Sequence, residues 1–229
     1  FLATKISFIN AMAEISDGTG ANVTQLADAI GYDARIGRRF LNAGIGFGGG
    51  CLPKDIRGFV ARAEELGVGH SLAFLKDVDD INLRRRSRVV DILTEELGSL
   101  QGTKVAVWGT SFKPASDDIR DSPALDIAEA LARAGATVIS ADPEGWKPAS
   151  ARIEKSGLTD SLSATSDHRA AVQDADAVVV ATEWDIFRNE DPTHIGSLMN
   201  QQIVVDGRNC LDSEAWKSAG FRYRGMGRS

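Results

Sequence analysis

The chain has 229 residues, 43% hydrophobic and 25% charged, as in ordinary globular proteins of one or two domains. Its formal net charge of -6 gives no general attraction to nucleic acid or to an anionic membrane, although a local basic pocket for a small phosphate ligand is compatible with it. No apolar run approaches the roughly 20 residues of a membrane span, and no charged-then-apolar leader opens the chain. We therefore expect a cytoplasmic protein that binds neither nucleic acid nor membrane.

The first residues carry a helical pattern. Apolar side chains recur at helical spacing from an abrupt start, at Leu2, Ile6, Ile9, Ala13 and Ile15. Since no capping residue precedes them, the expectation is a truncated or cleaved chain whose first helix began upstream. Gly18 and Gly20 are expected to break this helix after Asp17. A short helix from Val23 to Ile30 follows, capped by Asn22 and closed by Gly31.

Two further helices complete an all-helical first part. Pro53 and Asp55 start the first of them, which runs to about Leu66 and ends at Gly67. The second spans about Ser71 to Leu97, roughly 40 Å, which is long enough to join two domains. We expect residues 1 to about 100 to form a helical dimerisation module.

Beyond Gly102 the pattern changes to alternating strands and helices. A helix is predicted from Ser122 to Ala134, closed by Gly135. Four short apolar runs are typical of buried parallel strands: Lys104 to Trp108, Thr137 to Ala141, Ala177 to Ala181 and Ile203 to Asp206. Because parallel strands need helical crossovers, residues 101–229 are predicted to form a doubly wound, Rossmann-like α/β domain.

The segment from Gly44 to Asp55, Gly-Ile-Gly-Phe-Gly-Gly-Gly-Cys-Leu-Pro-Lys-Asp, carries the strongest chemical signal. It formally contains G-x-G-x-x-G, but it lies between helices, whereas a dinucleotide fingerprint follows a strand. Cys51 stands at the mouth of a helix and near Lys54, and both features favour a thiolate nucleophile. Asp55, one helical turn on, is placed to position or deprotonate a water.

Two other interpretations of Cys51 are open from the residues alone. A buried structural cysteine beside a glycine turn explains the pattern equally well. A cysteine hydrolase is disfavoured, because this segment holds no histidine that could pair with the thiol. The only other cysteine, Cys210, has no acidic partner nearby and is interpreted as structural, and the scattered histidines predict no metal site.

Several separated motifs carry a resemblance that covers nearly the whole chain. They are Phe1 to Asn10, Asp33-Ala-Arg-Ile-Gly37 with Phe40-Leu41, Gly46-Phe-Gly-Gly-Gly-Cys-Leu-Pro-Lys-Asp55, Gly109-Thr-Ser-Phe-Lys-Pro114, Asp118-Ile-Arg-Asp-Ser-Pro123, Asp142-Pro143, Thr182-Glu-Trp-Asp185 and Asp206-Gly-Arg-Asn209. In this order they resemble the UDP-glucose/GDP-mannose dehydrogenase family. The resemblance implies oxidation of a sugar C6 alcohol to a carboxylate in two NAD-dependent steps, with Cys51 as covalent catalyst and Asp55 assisting hydrolysis of the thioester.

The resemblance also implies roles for other residues. Lys113 would reach the reacting sugar beside the aromatic Phe112, and Arg208 would bind the sugar nucleotide, as its place at a strand end supports. Phe40, Leu41, Phe47 and Gly48 would lie along the substrate. Arg35 would cross a dimer interface to the partner's substrate, and Arg120 would meet the NAD pyrophosphate, although an ion pair with Asp117 or Asp121 explains it equally well.

The resemblance further implies a homodimer paired through the family's central helix, which the segment Phe1 to Asn10 resembles. It also implies UDP-glucose as the first expected substrate. GDP-mannose or a UDP-N-acetylhexosamine is the alternative within the family, and a noncatalytic nucleotide-sugar-binding module is the alternative outside it. Because no NAD-binding glycine fingerprint precedes Phe1, this chain alone is expected not to turn over. The basic run Arg84 to Arg88 is interpreted as a solvated face or as interdomain ion pairs, and Trp184 as a packing residue.

Overall fold

The computed structural model describes residues 1–228, which begin with a helical part. Its four α-helices are α1 (Leu2–Thr19), α2 (Val23–Gly31), α3 (Leu52–Glu65) and α4 (Phe74–Leu97), with a 3-10 turn at Gly69–Leu72. The Asn22 side chain caps α2 by accepting from the amides of Thr24 and Gln25. Pro53 occupies the first turn of α3, where its missing N–H costs nothing.

Three predicted helix boundaries were wrong. Gly18 does not break α1, because a helix interior tolerates a single glycine, and the helix ends only at Gly20 with φ 73°. Gly31 belongs to α2, and Tyr32 is its C-terminal cap. The long helix starts at Phe74 rather than Ser71, because the 3-10 turn precedes it.

The second part is one six-stranded sheet. Its strands are β1 (Lys104–Trp108), β2 (Thr137–Ala141), β3 (Leu162–Thr165), β4 (Ala177–Val180), β5 (Ile203–Asp206) and β6 (Arg222–Gly225). Every neighbouring pair is parallel, in the order β3-β2-β1-β4-β5-β6. This order places β1 and β4 at the switch point of a doubly wound sheet, so the predicted fold class is confirmed.

Six helices cover the two faces of the sheet: α5 (Pro123–Arg133), α6 (Trp146–Ser156), α7 (His168–Val172), α8 (Asp185–Arg188), α9 (Pro192–Leu198) and α10 (Ser213–Ser218). Successive strand residues face opposite layers, so Val105 and Val107 belong to one apolar core and Ala106 and Trp108 to the other. Both layers are fully buried at β1, as its continuous apolar run predicted.

Helix α4 ties the two parts together. Its second half contributes Val89, Ile92 and Leu93 to the core beneath the sheet. Its first half packs Leu75 and Val78 against α1 and α3. Since α4 is shared by both cores, it fixes where the helical part meets the carboxyl ends of the strands. No helix of the described residues is long and apolar enough to cross a membrane.

Candidate active site

A cleft of about 700 Å³ opens where the helical part meets the carboxyl ends of β1, β4 and β5. Ligands of open α/β sheets bind at this edge. The cleft brings together seven of the residues predicted to contact substrate: Phe40, Leu41, Phe47, Gly48, Phe112, Lys113 and Arg208. The other predicted residues, Cys51, Asp55, Arg35 and Arg120, lie outside its lining, with Leu52 of α3 at the cleft wall next to Cys51.

Arg208 joins the sheet to the glycine-rich loop. It follows β5, and its Nε donates to the carbonyl of Ala181 at 2.8 Å and lies 3.3 Å from the Glu183 carboxylate. Its Nη1 donates to the carbonyl of Gly46 at 3.0 Å. Its Nη2 is buried and has no hydrogen-bond partner among residues 1–228. A buried guanidinium N–H without a partner is a strong donor for a phosphate or ribose oxygen of a ligand.

Phe112 and Lys113 lie in the loop after β1, on the opposite side of the cleft mouth. The Phe112 ring sits against Gly49, where a Cβ added to that glycine would lie 2.8 Å from a ring carbon. The Lys113 ammonium is 5.5 Å from the centroid of the same ring, a cation–π distance. The aromatic ring therefore positions the lysine next to the loop that leads to Cys51.

Cys51 is the N-cap residue of α3 and is exposed. The Asp55 amide donates to the Cys51 carbonyl at 2.9 Å, which sets the carboxylate one turn along the helix. The Asp55 side chain is 71% exposed and lies 3.6 Å from the Lys54 ammonium, so it reaches water freely. The predicted helix-mouth geometry is present, and the catalytic roles of both residues stay predictions.

Arg120 pairs with Asp118 rather than with Asp117 or Asp121, so the predicted ion-pair partners were wrong. Both its main-chain amide and its guanidinium bind the Asp118 carboxylate, because the two residues flank a tight turn. These hydrogen bonds raise the pKa of Arg120, and the Cys51 charge adds a smaller effect. Asp121 is instead held by guanidinium groups of the helical part.

Arg35 lies outside the cleft lining. Its side chain is 89% exposed and binds Asp33 at 2.6 Å. That hydrogen bond holds the pKa of Asp33 below its ordinary value. The predicted contact with a partner subunit's substrate stays a prediction.

Eight polar cleft residues were not assigned a site role from the sequence: Asn10, Thr24, Arg38, Arg39, Asn42, Glu183, Arg188 and Asn209. Arg188 could have been found, because it ends α8, the helix that follows β4, and strand ends form ligand sites. The cleft lining holds five basic side chains, Arg38, Arg39, Lys113, Arg188 and Arg208, and one carboxylate, Glu183. A chain of net charge -6 therefore still presents a local site for an anionic ligand.

Cys210 also lines the cleft. Burial raises the pKa of its thiol far above the ordinary range, and the Asp206 and Glu183 carboxylates add to the effect. The expectation that no acidic group lies near Cys210 was therefore wrong, and its interpretation as a structural cysteine stays a prediction. The basic run on α4 is partly buried: Arg85 is fully buried and Arg86 pairs with carboxylates of the sheet part. The interdomain ion-pair interpretation is therefore correct for Arg86 but not for Arg85, which lies 3.9 Å from Glu14 of the helical part, and a solvated face is wrong for both.

The turn after β1 does not fit the pyrophosphate of a dinucleotide. The amides of Thr110 and Ser111 donate to the buried Asp142 carboxylate at 2.8 and 3.0 Å. Trp184 Nε1 donates to the same oxygen at 3.2 Å, in addition to its packing against the apolar core. Ser122, the N-cap residue of α5, donates its hydroxyl to the Thr110 carbonyl at 2.6 Å, so the start of this helix closes against the turn. Within residues 1–228, no three His, Cys, Asp or Glu side chains cluster to hold a metal.

Comparison with family models assigns both parts of the chain. Residues 1–84 match the central domain of the UDP-glucose/GDP-mannose dehydrogenase family, and residues 106–213 match the UDP binding domain of the same family. The chain belongs to this family. The dehydrogenase family resemblance carried by the motifs is therefore confirmed.

Individual members of the dehydrogenase family are similar along the whole chain. UDP-glucose 6-dehydrogenase TuaD of Bacillus subtilis is 39% identical over 228 residues, which are 100% of this chain and 48% of that protein. UDP-glucose 6-dehydrogenase of Pseudomonas aeruginosa is 39% identical over 229 residues, 100% of this chain and 50% of that protein. The chain thus spans about half the length of the curated relatives it matches.

Solved structures of the family share the fold. A UDP-glucose dehydrogenase from the hyperthermophilic archaeon Pyrobaculum islandicum superposes with a TM-score of 0.86 at 34% identity, covering 100% of this chain and 49% of that one. A UDP-D-ManNAc dehydrogenase from Pyrococcus horikoshii gives a TM-score of 0.79 at 28% identity, covering 99% of this chain and 49% of that one.

Proposed function

We propose that this chain forms the sugar-nucleotide site and supplies the catalytic cysteine of an NAD-dependent UDP-glucose 6-dehydrogenase. The observation that carries the proposal is the basic cleft, where the unpartnered Nη2 of Arg208, the Phe112–Lys113 pair and the glycine-rich loop ending at Cys51 converge. UDP-glucose is preferred over GDP-mannose because the curated relatives cited above are UDP-glucose 6-dehydrogenases.

The cleft residues would bind the substrate along its length. Guanidinium groups of Arg208 and Arg188 match the charge of a diphosphate, and the main chain of Phe47 and Gly48 lets a sugar ring approach closely. Lys113, held beside Phe112, would contact the reacting end of the sugar. The sugar would then lie toward Leu52 and the adjacent Cys51.

The covalent steps belong to Cys51 and Asp55. The Cys51 thiolate forms a bond to the aldehyde carbon while the aldehyde oxygen takes up a proton, giving a thiohemiacetal. After oxidation to the thioester, a water molecule attacks the same carbon, and Asp55 accepts its proton as the carbon–sulfur bond breaks and the thiolate leaves. NAD would supply the hydride acceptor when bound. The described residues form no dinucleotide cradle, so we assign this chain no hydride step and expect no NADH from it alone.

A homodimer through α1 is part of the proposal. The face of α1 that does not pack on α4 exposes Phe8 and Ile15, seven residues apart and therefore on one side of the helix. Two copies of the chain would bury this strip against each other, and Arg35 would then project toward the partner's cleft. The two free cysteines agree with the proposed cytoplasmic location.

Calorimetric titration with UDP-glucose, GDP-mannose and UDP tests the proposal. We expect UDP-glucose and UDP to bind, GDP-mannose to bind at least about tenfold more weakly, and Arg208→Ala to lose about tenfold or more in affinity. Arg224→Ala is the matched control, because Arg224 also pairs with carboxylates, Glu95 and Glu96, but lies away from the cleft.

The other outcomes separate the alternatives. Tighter binding of GDP-mannose than of UDP-glucose would identify GDP-mannose as the substrate. A loss of affinity in Arg224→Ala equal to that in Arg208→Ala would show that Arg208 acts through folding and not through the ligand. Equal and slow alkylation of Cys51 and Cys210 would favour the noncatalytic binding module.

A further inference from the structure

The glycine-rich loop before Cys51 is held by side chains of α4 as well as by neighbouring turns. The Phe47 amide donates to Asn82 Oδ1 at 2.6 Å, and Asn82 Nδ2 donates back to the Phe47 carbonyl at 3.0 Å. A Cβ on Gly46, whose φ is 93°, would lie 2.5 Å from Asn82 Oδ1. The buried side-chain amide of Asn82 therefore binds both the N–H and the carbonyl of Phe47, and it leaves room only for glycine at position 46.

Arg86 connects the same loop to the sheet part. Its Nη2 donates to the Phe47 carbonyl at 3.1 Å and to Asp121 Oδ1 at 2.9 Å, and its Nη1 contacts Asp126. The side chain is 8% exposed, so water competes little for these hydrogen bonds. The planar guanidinium spreads its donors over three nitrogens and so spans a carbonyl and two carboxylates, whereas the three donors of a lysine ammonium all lie on one nitrogen.

The sheet segment that Arg86 holds touches the loop directly. Asp121 has φ 46°, a left-handed conformation uncommon for a side chain that carries a Cβ, and its carbonyl lies 2.1 Å from where a Cβ of Gly48 would be. The neighbouring Arg120 carbonyl accepts from the Gly49 amide at 2.9 Å. The loop and the segment that bears Arg120 are therefore in contact at two successive glycines.

We propose that Asn82 and Arg86 are positioning residues that set Cys51 in register with Arg120 and the sheet side of the cleft. The inference deepens the proposed function, since it concerns the residue that would carry out the covalent steps. Cys51 lies four residues beyond Phe47, and between them Gly49 donates to the Arg120 carbonyl and Gly50 lies against the Arg120 guanidinium. The hydrogen bonds of Asn82 and Arg86 to Phe47, here called the clamp, therefore limit how far the thiol can move. Covalent catalysis is sensitive to such displacement.

Arg86→Met tests the proposal, with Arg152→Met as the matched control. Arg152 binds the same Asp126 carboxylate at 2.7 Å, and also Glu129, but its hydrogen bonds do not reach the loop. At temperatures where the variants are fully folded, Arg86→Met should increase deuterium uptake of residues 44–51 by mass spectrometry. It should also change the rate at which iodoacetamide alkylates Cys51 at least about threefold, because the clamp no longer holds the thiol in place.

Arg86→Lys keeps the charge and guards against a variant that fails to fold. It should show an intermediate deuterium uptake and alkylation rate. The proposal is overturned if loop exchange and the Cys51 rate in Arg86→Met or Arg86→Lys match those in Arg152→Met. Neither readout uses a nucleotide, so failure of UDP-glucose to bind the wild-type chain would count against the proposed function and not against the clamp.

Discussion

Replacing Asp142 by Asn should destabilise the sheet part strongly, because this buried carboxylate organises the turns after β1 and β2. Its Oδ2 accepts from Thr110 N, Ser111 N, Ser111 Oγ and Trp184 Nε1, and its Oδ1 accepts from the amides of Glu144 and Gly145 at 3.0 and 2.8 Å. An asparagine must place an NH2 group on one side, so at least two buried N–H donors lose their acceptor.

Each buried donor left without a partner costs about 1–3 kcal/mol, so two of them give an expected loss of unfolding free energy of about 2–6 kcal/mol. For a chain of this length that corresponds to a fall in Tm of roughly 4–24 °C. Urea unfolding followed by far-UV circular dichroism measures the loss of unfolding free energy. The control is Asp212→Asn, at an exposed helix cap where Asp212 Oδ1 also accepts from two amides and asparagine caps as well as aspartate.

The expected loss for the control is under about 0.5 kcal/mol. Equal losses in the two variants would refute the reasoning, since they would show that the Asp142 hydrogen bonds contribute no more than an exposed cap.

Three other substitutions test the glycine-rich loop, an acid-sensitive ion pair and the exposed face of α1. Gly46→Ala should lower the free energy of unfolding in urea by several kcal/mol, because Gly46 has a positive φ and lies against Asn82. The control Gly58→Ala, in α3 with open space around it, should raise the free energy of unfolding by about 0.5–1 kcal/mol. Equal effects in the two variants would contradict the loop geometry. Burial opposes ionisation of Glu190, but hydrogen bonds from Arg169 and His168 outweigh it and hold the pKa of Glu190 below its ordinary value. The contribution of this ion pair to stability is therefore fully present above about pH 4.3 and lost as pH falls through the lowered pKa. The stability of Glu190→Gln should depend less on pH below about pH 4.3 than that of the wild-type chain; an equal pH dependence would be inconsistent with this ion pair. Ile15→Glu on the exposed face of α1 should give monomers by sedimentation velocity while Glu14→Gln, beside it, leaves the dimer intact; a dimer in both would place the interface elsewhere.

The sequence predicted the strands that have a continuous apolar run. Strands β1, β2 and β5 have the predicted bounds, because most of their residues are buried in the two layers of the core. The strands β3 and β6 were missed, because each lies at an edge of the sheet and spans four residues of which at most two are buried. Helices α6 to α10 were also missed. Helix α6 buries only Ala149 and Ile153, and the other four helices are too short for a long apolar pattern, with single aspartate caps starting α7, α9 and α10.

For the site, motifs located the main-chain segments but not the contacts between distant residues. Arg86 and Asp121 are 35 positions apart, and nothing local in either sequence pairs them. Asp142 was noticed only as part of a motif, because its six donors come from turns that fold against it. Arg120 was assigned the wrong carboxylate because several candidates lie close to it in sequence. Aspartates stand at positions 117, 118, 121 and 126, and only the geometry of the turn selects Asp118.

The most direct test of the central claim, that the basic cleft delivers a nucleotide sugar to Cys51, is protection of that thiol from alkylation. The chain is treated with iodoacetamide at neutral pH with and without saturating UDP-glucose, and both cysteines are quantified by mass spectrometry. We expect Cys51 to react first and to be protected by UDP-glucose more than by UDP, which lacks the sugar, while Cys210 stays slow because burial raises its pKa. An unchanged Cys51 rate with bound UDP-glucose would place the sugar elsewhere and contradict the account.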